Sequence, residues 1–118
     1  MILKCKDESV LRACFKRAWH STLIDLYVWI YNRYGAKVMI TEAWREPRSP
    51  SDVHATDPIR AFDLRSTNFE DPEYIAEEIN RNWTYDPERP SMKVALLHDV
   101  GLGIHFHLQV HPNTIMEF

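Results

Sequence analysis

Apolar residues dominate the first third of the chain at helical spacing. Val10, Leu11, Cys14, Phe15, Ala18, Trp19, Leu23, Leu26, Tyr27, Ile30, Tyr31 and Tyr34 recur three and four positions apart, the signature of one buried helix face. Asp7 or Ser9 is placed to cap the start, and Gly35 offers a left-handed stop. At His20-Ser21-Thr22 polar, cap-forming residues interrupt the run, a point where one long helix would break into two. The aromatic stripe has the period of core packing, not of a binding surface.

The period then changes. Ala36 to Thr41 carries the β-branched residues of a strand, and the two prolines of Glu46 to Asp52 demand a loop. Ile59 to Leu64 predicts a second strand after Pro58. Asp71-Pro72-Glu73 opens a helix with a capping carboxylate and a first-turn proline, running to about Trp83 with Ile75 and Ile79 on one face. Thr84 to Ser91 reads as a connection. Met92 to His98 and Ile104 to Val110 predict two strands joined around Asp99-Val-Gly-Leu-Gly103. The order helix, strand, strand, helix, strand, strand implies one α+β domain over residues 1–118 with a mostly antiparallel sheet.

Composition narrows the function class. With 118 residues, 45% hydrophobic and 26% charged, the chain has the length and balance of one globular domain. Its net charge is −3 and its longest basic run is Lys16-Arg17, which argues against nucleic-acid binding. The most apolar stretch, Leu23 to Tyr31, contains Asp25 and is too short to cross a bilayer. Charges at Lys4, Lys6, Asp7 and Glu8 sit where a secretory signal needs an apolar run. The expectation is therefore a monomeric protein, cytoplasmic as synthesised and without a membrane span. Cys5 and Cys14 form no CxxC pair, and Cys14, on the apolar helix face, reads as a small hydrophobe rather than half of a disulfide.

The last predicted strand carries the first chemistry. Ile104, Phe106, Leu108 and Val110 alternate with His105, His107, Gln109 and His111. Period two sends the first set to the core and His105 and His107 together to the opposite face. Two imidazoles at i and i+2 can serve one site or simply a solvated face. The middle of the chain adds His54, at the end of the proline-rich loop, and Asp63, flanked by Ile59, Ala61, Phe62 and Leu64. A carboxylate in such company needs a partner: Arg60 or Arg65 would provide an ion pair, a metal the functional alternative. Two histidines and an aspartate around one open position form a ligand set that suits catalytic zinc. Asp57 is an alternative to Asp63 as the carboxylate. His20, beside Trp19, reads as an edge or packing residue, His111 as exposed, and Glu42 and Glu46 as surface charges, with Glu42 also able to orient Arg45.

Taken together, these segments resemble the LAS-type zinc peptidases: D-alanyl-D-alanine carboxypeptidases, related dipeptidases and phage endolysins that cut L-alanyl-D-glutamate bonds. Val38-Met-Ile-Thr-Glu-Ala-Trp-Arg45 resembles the segment whose arginine faces the substrate carbonyl. Ser51-Asp-Val-His54 and Arg60-Ala-Phe-Asp63 resemble the first two ligand segments, and Ile104-His-Phe-His107 the His-x-His form of the third. The likeness spans roughly residues 20 to 111 and is nearest to small phage-encoded members. The departures are a His54–Asp63 interval two residues longer than usual, Ile59 where the family has glycine, Asp52 in place of a serine, and Ile104 where some members carry glutamate.

The resemblance implies a hedgehog-like or D-Ala-D-Ala-peptidase-like fold and a zinc ion held by His54, Asp63 and His107. It implies hydrolysis of an amide bond in peptidoglycan stem peptides, as by a phage or prophage endolysin released to the cell wall during lysis. In that scheme His105 handles the proton, with His98 in reserve, and Arg45 stabilises the oxyanion. A rival expectation is a non-catalytic zinc-binding phage structural or binding protein on the same fold. A second rival, an iron oxygenase with two histidines and one carboxylate, fits poorly, because those enzymes place the carboxylate two residues after the first histidine.

Overall fold

The structure, a computed structural model, describes residues 3–99 and 103–117. The helical run at the N-terminus breaks earlier than expected: the first helix ends at Cys14, Phe15 is exposed, Trp19 bridges to Ile59, and helix resumes only at the polar triplet. α1 spans Glu8–Cys14, capped by Asp7, whose side chain accepts from the Val10 N–H at 2.9 Å. α2 spans Ser21–Tyr34. His20 is its N-cap, with ring Nδ1 accepting from the Thr22 N–H at 3.2 Å, so this histidine starts a helix rather than sitting inside one. Gly35 ends α2 at φ 58°, a conformation only glycine adopts without strain.

Gly35–Lys37 then makes one 3-10 turn, so the expected strand loses its first residues and β1 spans Ile40–Glu42. β2 is Ala61–Arg65, and α3 is Pro72–Asn82, capped by Asp71. β4 covers Ala95–Asp99 and β5 Ile104–Gln109. Met92 was expected in β4, but its N–H bonds to the Arg89 carbonyl in a turn. A small second sheet was not foreseen: β3, Trp83–Thr84, pairs with β6, Ile115–Met116. Most of the link expected between β4 and β5 lies outside the described residues.

The main sheet has the order β1-β2-β5-β4 with every pair antiparallel, confirming a mostly antiparallel α+β domain. Its register separates the two faces. Phe62, Leu64, Phe106 and Leu108 turn to one side and are buried with Leu23, Leu26, Tyr27 and Ile30 of α2 and Ile79 of α3. Trp19 stacks on Phe62 at 5.4 Å and Tyr27 meets the same ring edge-on at 5.7 Å. Ile104 departs from the expected core set: at the far end of β5 it is exposed. Cys14 is buried in this core, its Sγ 3.7 Å from the Cys5 thiol, and both cysteines are free.

The opposite face carries the polar residues. Asp63 lies directly across from His107, and His105 lies between Arg65 of β2 and His98 of β4. Two long-range strand pairings thus bring together residues far apart in sequence.

Candidate metal centre

His54 reaches the sheet from the 3-10 turn Val53–Ala55, which Asp52 caps by accepting from the His54 N–H at 3.1 Å. The imidazole is wholly buried, as is the Asp63 carboxylate below it to within a few percent. His54 Nε2 and His107 Nδ1 each lie 3.1 Å from Asp63 Oδ1, and 3.3 Å from each other. The three residues form a buried cluster able to hold a metal ion. Asp63 does not pair with Arg60 or Arg65; its ion-pair partners among the described residues are the two histidines. Asp57 is excluded as a ligand, being exposed and paired with Arg17 at 3.6 Å.

The outer nitrogens decide which way the lone pairs point. His54 Nδ1 lies 2.7 Å from the Ala43 carbonyl oxygen. A carbonyl only accepts, so Nδ1 carries the proton and Nε2 of the neutral ring turns a lone pair inward. His107 Nε2 lies 3.0 Å from Gln109 Oε1. The orientation of that amide follows from its Nε2, which donates to the Lys93 carbonyl at 2.8 Å. His107 Nε2 therefore donates to Gln109, and its Nδ1 lone pair also points inward. Such outer partners fix tautomer and ring orientation around metals.

Two lone pairs and a carboxylate oxygen cannot meet at one point without positive charge between them. Burial raises the Asp63 carboxyl pKa, and it falls below the usual carboxylate range only where the two rings offer it N–H groups or positive charge; with both lone pairs turned inward, that role falls to a cation. A single proton satisfies only one of the three contacts. A tetrahedral ion with bonds of about 2.0–2.1 Å sets its ligands about 3.3–3.4 Å apart, close to the three separations found. The donor set fits a metal ion.

Arg45 stands beside the cluster but is not free. Its Nε and one Nη donate to the two Asp52 oxygens at 3.0 and 3.1 Å, and the other Nη donates to Glu42 at 2.9 Å. Glu42 thus orients Arg45 and is no loose surface charge, whereas Glu46 is exposed. Burial would raise the Asp52 carboxyl, but Arg45 and the N–H groups of Arg48 and His54 outweigh it and bring it down to about 2. His105 is outside the cluster: it is half-buried, with Nδ1 3.4 Å from Thr41 Oγ1. His98 is exposed, its ring centroid 5.3 Å from that of His107. What burial it has, and then the neighbouring His107, lower its pKa. His111, expected to be exposed, is half-buried against the Tyr85 ring at 5.6 Å.

Two cavities flank the cluster. One, of about 560 Å³, is lined by His107; the other, of about 380 Å³, by Asp63, His105 and Thr41; Arg45 borders both. Gln109 and Asp52 are the partners that sequence reasoning missed. Gln109 had a signal, since it stands two residues beyond His107 on the same strand face. Asp52 was read only as the residue standing where the resembled family has serine. Comparison of the chain with family models, curated proteins and solved structures finds no match.

Proposed function

We propose that the protein is a zinc-dependent metallopeptidase that hydrolyses an amide bond in peptidoglycan stem peptides, in the manner of a phage or prophage endolysin. The observation that carries the reading is the convergence of the His54, Asp63 and His107 donor atoms, with both imidazoles held in the tautomer that turns a lone pair inward. Two histidines and one carboxylate at this spacing match the ligand set of hydrolytic zinc sites, which leave one position open. When bound, the ion supplies Lewis-acid polarisation of a carbonyl and a nucleophilic water near neutral pH.

The surrounding side chains support the remaining roles. A guanidinium has five N–H donors, and the contacts of Arg45 with Asp52 and Glu42 use three of them. Its other two stay available to a carbonyl oxygen gaining charge, in a geometry that Asp52 and Glu42 fix in advance. Thr41 engages His105 Nδ1, leaving Nε2 as the nitrogen that takes and returns the proton. His98 stands across from His105 on β4 and is the alternative for that step. The choice of peptidoglycan rests on the motif resemblance.

The test is release of peptides from purified peptidoglycan by zinc-loaded protein. Arg45→Ala should keep one zinc per chain and lose about a hundredfold or more in turnover; unchanged turnover removes Arg45 from the mechanism. Of His105→Ala and His98→Ala, the first should flatten the pH–rate profile. Stoichiometric zinc with no cleavage of any stem peptide would replace this reading with a non-catalytic zinc-binding protein.

A further inference from the structure

The two cavities beside the cluster differ in charge. The one on the Asp63 side is bordered by Lys6, Arg45 and Arg48 against Asp7, Glu42 and Asp63, an even balance. The one on the His107 side is bordered by Arg45, Arg48, Arg60 and Arg89, with Asp52 its sole acidic side chain. Arg45 is neutralised there by Asp52 and Glu42, and Arg89 is anchored through Nε to Asp86 at 3.0 Å with both Nη groups left over. Arg48 reaches Glu42 only at 3.5 Å.

Arg60 differs from the others. It is half-buried, and no carboxylate among the described residues pairs with it. Its backbone is pinned on both sides, the N–H donating to the Val53 carbonyl at 3.2 Å and the carbonyl accepting from Val110 at 2.9 Å. A guanidinium carried on a pinned backbone beside a cavity, without a carboxylate partner among the described residues, has donors free for an anion, and their planar array matches a carboxylate.

We infer that the His107-side cavity takes a carboxylate-bearing segment of the peptide, held by Arg60 with Arg89 and Arg48, while the charge-balanced Asp63 side takes an uncharged segment. This assignment rests on the amide-hydrolase reading and adds a direction to it: the peptide crosses the metal cluster with its acidic end toward Arg60. His111, which also borders the cavity, adds charge only when protonated.

The test uses zinc-loaded protein and two probes, N-acetyl-alanyl-alanine as the free acid and as its C-terminal amide, titrated calorimetrically. The acid should bind about tenfold or more tightly than the amide. In the double variant Arg60→Gln/Arg89→Gln, full zinc stoichiometry should show an intact site, and the preference should fall to about twofold or less. Equal binding of acid and amide by the wild type overturns the assignment, as does absence of saturable acid binding in the millimolar range. A preference that survives in the variant also overturns it, since the carboxylate would then sit on the metal. Peptidoglycan cleavage without acid preference removes this pocket and leaves the hydrolase reading in place; acid preference without cleavage keeps the pocket and removes the hydrolase.

Discussion

Replacing Asp63 with asparagine should change stability in opposite directions with and without zinc. With both rings neutral, the metal-free cluster sets a carboxylate oxygen 3.1 Å from two inward lone pairs. An asparagine amide is nearly the same shape but brings N–H donors, so one repulsive contact becomes a hydrogen bond worth about 1 kcal/mol. A 118-residue chain has an unfolding entropy of about 0.25 kcal/mol/K, so that gain raises Tm by about 4 °C. Zinc should act the other way. At a hundredfold excess over its Kd it stabilises the wild type by about 2.7 kcal/mol, or about 11 °C, and at a thousandfold by about 4.1 kcal/mol, or about 16 °C. Asp63→Asn should lose most of that response, and His107→Ala all of it. Calorimetric melting of the three proteins in chelator and in zinc, with metal content after dialysis, measures every term. If Asp63→Asn is less stable than wild type in chelator, the carboxylate is pairing with protonated imidazoles and the lone-pair argument is wrong. A wild-type protein that retains no zinc and melts unchanged in its presence refutes the metal centre itself.

The remaining predictions concern positions around that centre and away from it. Gln109→Leu removes the acceptor that holds His107 Nε2–H and should weaken zinc binding about 10- to 100-fold in competition with a chromophoric chelator; unaltered affinity would show that Gln109 does not set the tautomer. Glu78 of α3 accepts from Arg33 at 2.7 Å, from the Tyr34 hydroxyl, and from Tyr74 at 3.2 Å, and Arg33 first and Tyr34 second bring its carboxyl down to about 2. Because the folded pKa lies below the ordinary value, the stabilisation is complete above about pH 4.5 and is lost as pH falls toward 2. Glu78→Gln should therefore cost about 1–2 kcal/mol at neutral pH, with the difference vanishing in acid denaturation; a pH-independent cost would contradict it. Burial pushes the Cys14 thiol up to about 12, so it should resist alkylation near neutral pH until the protein unfolds. Rapid labelling of native protein would show the helix face open.

Much of the fold was legible because its signals are local. The Asp71-Pro72 helix start, the capping Asp7, the glycine after Tyr34 and the alternation in β5 each act within a few residues, and each appears where the spacing places it. The second helix starts at the polar triplet because His20 accepts the Thr22 N–H as a cap, whereas the first ends earlier, at Cys14, ahead of a segment held by its backbone bonds to Ile59. The misplacements arise where tertiary partners decide. Val38 bonds back to Gly35 and shortens β1, and Trp83 and Thr84 become a strand only because Ile115 and Met116 lie alongside. Two-residue ladders leave no period to read.

The site divides in the same way. Asp63 announced itself by the cost of a carboxylate among apolar neighbours, and His54 and His107 by residue type and order, so the donor atoms were within reach of sequence. What leaves the three donors able to take a metal ion was not. His54 owes its tautomer to the Ala43 carbonyl, a backbone group that any residue at that position would offer. His107 owes its tautomer to Gln109, whose amide is oriented in turn by the Lys93 carbonyl. Backbone acceptors have no side-chain identity, so residue patterns alone cannot point to them. The longer interval between His54 and Asp63 shows the complementary point. Asp52 caps the His54 turn and ties it to Arg45, so the donor spacing is held by the loop's own contacts rather than by a fixed number of residues. Identity of ligands is thus written locally in this chain, whereas their readiness to receive a cation is a property of the sheet register and the loop that closes over it.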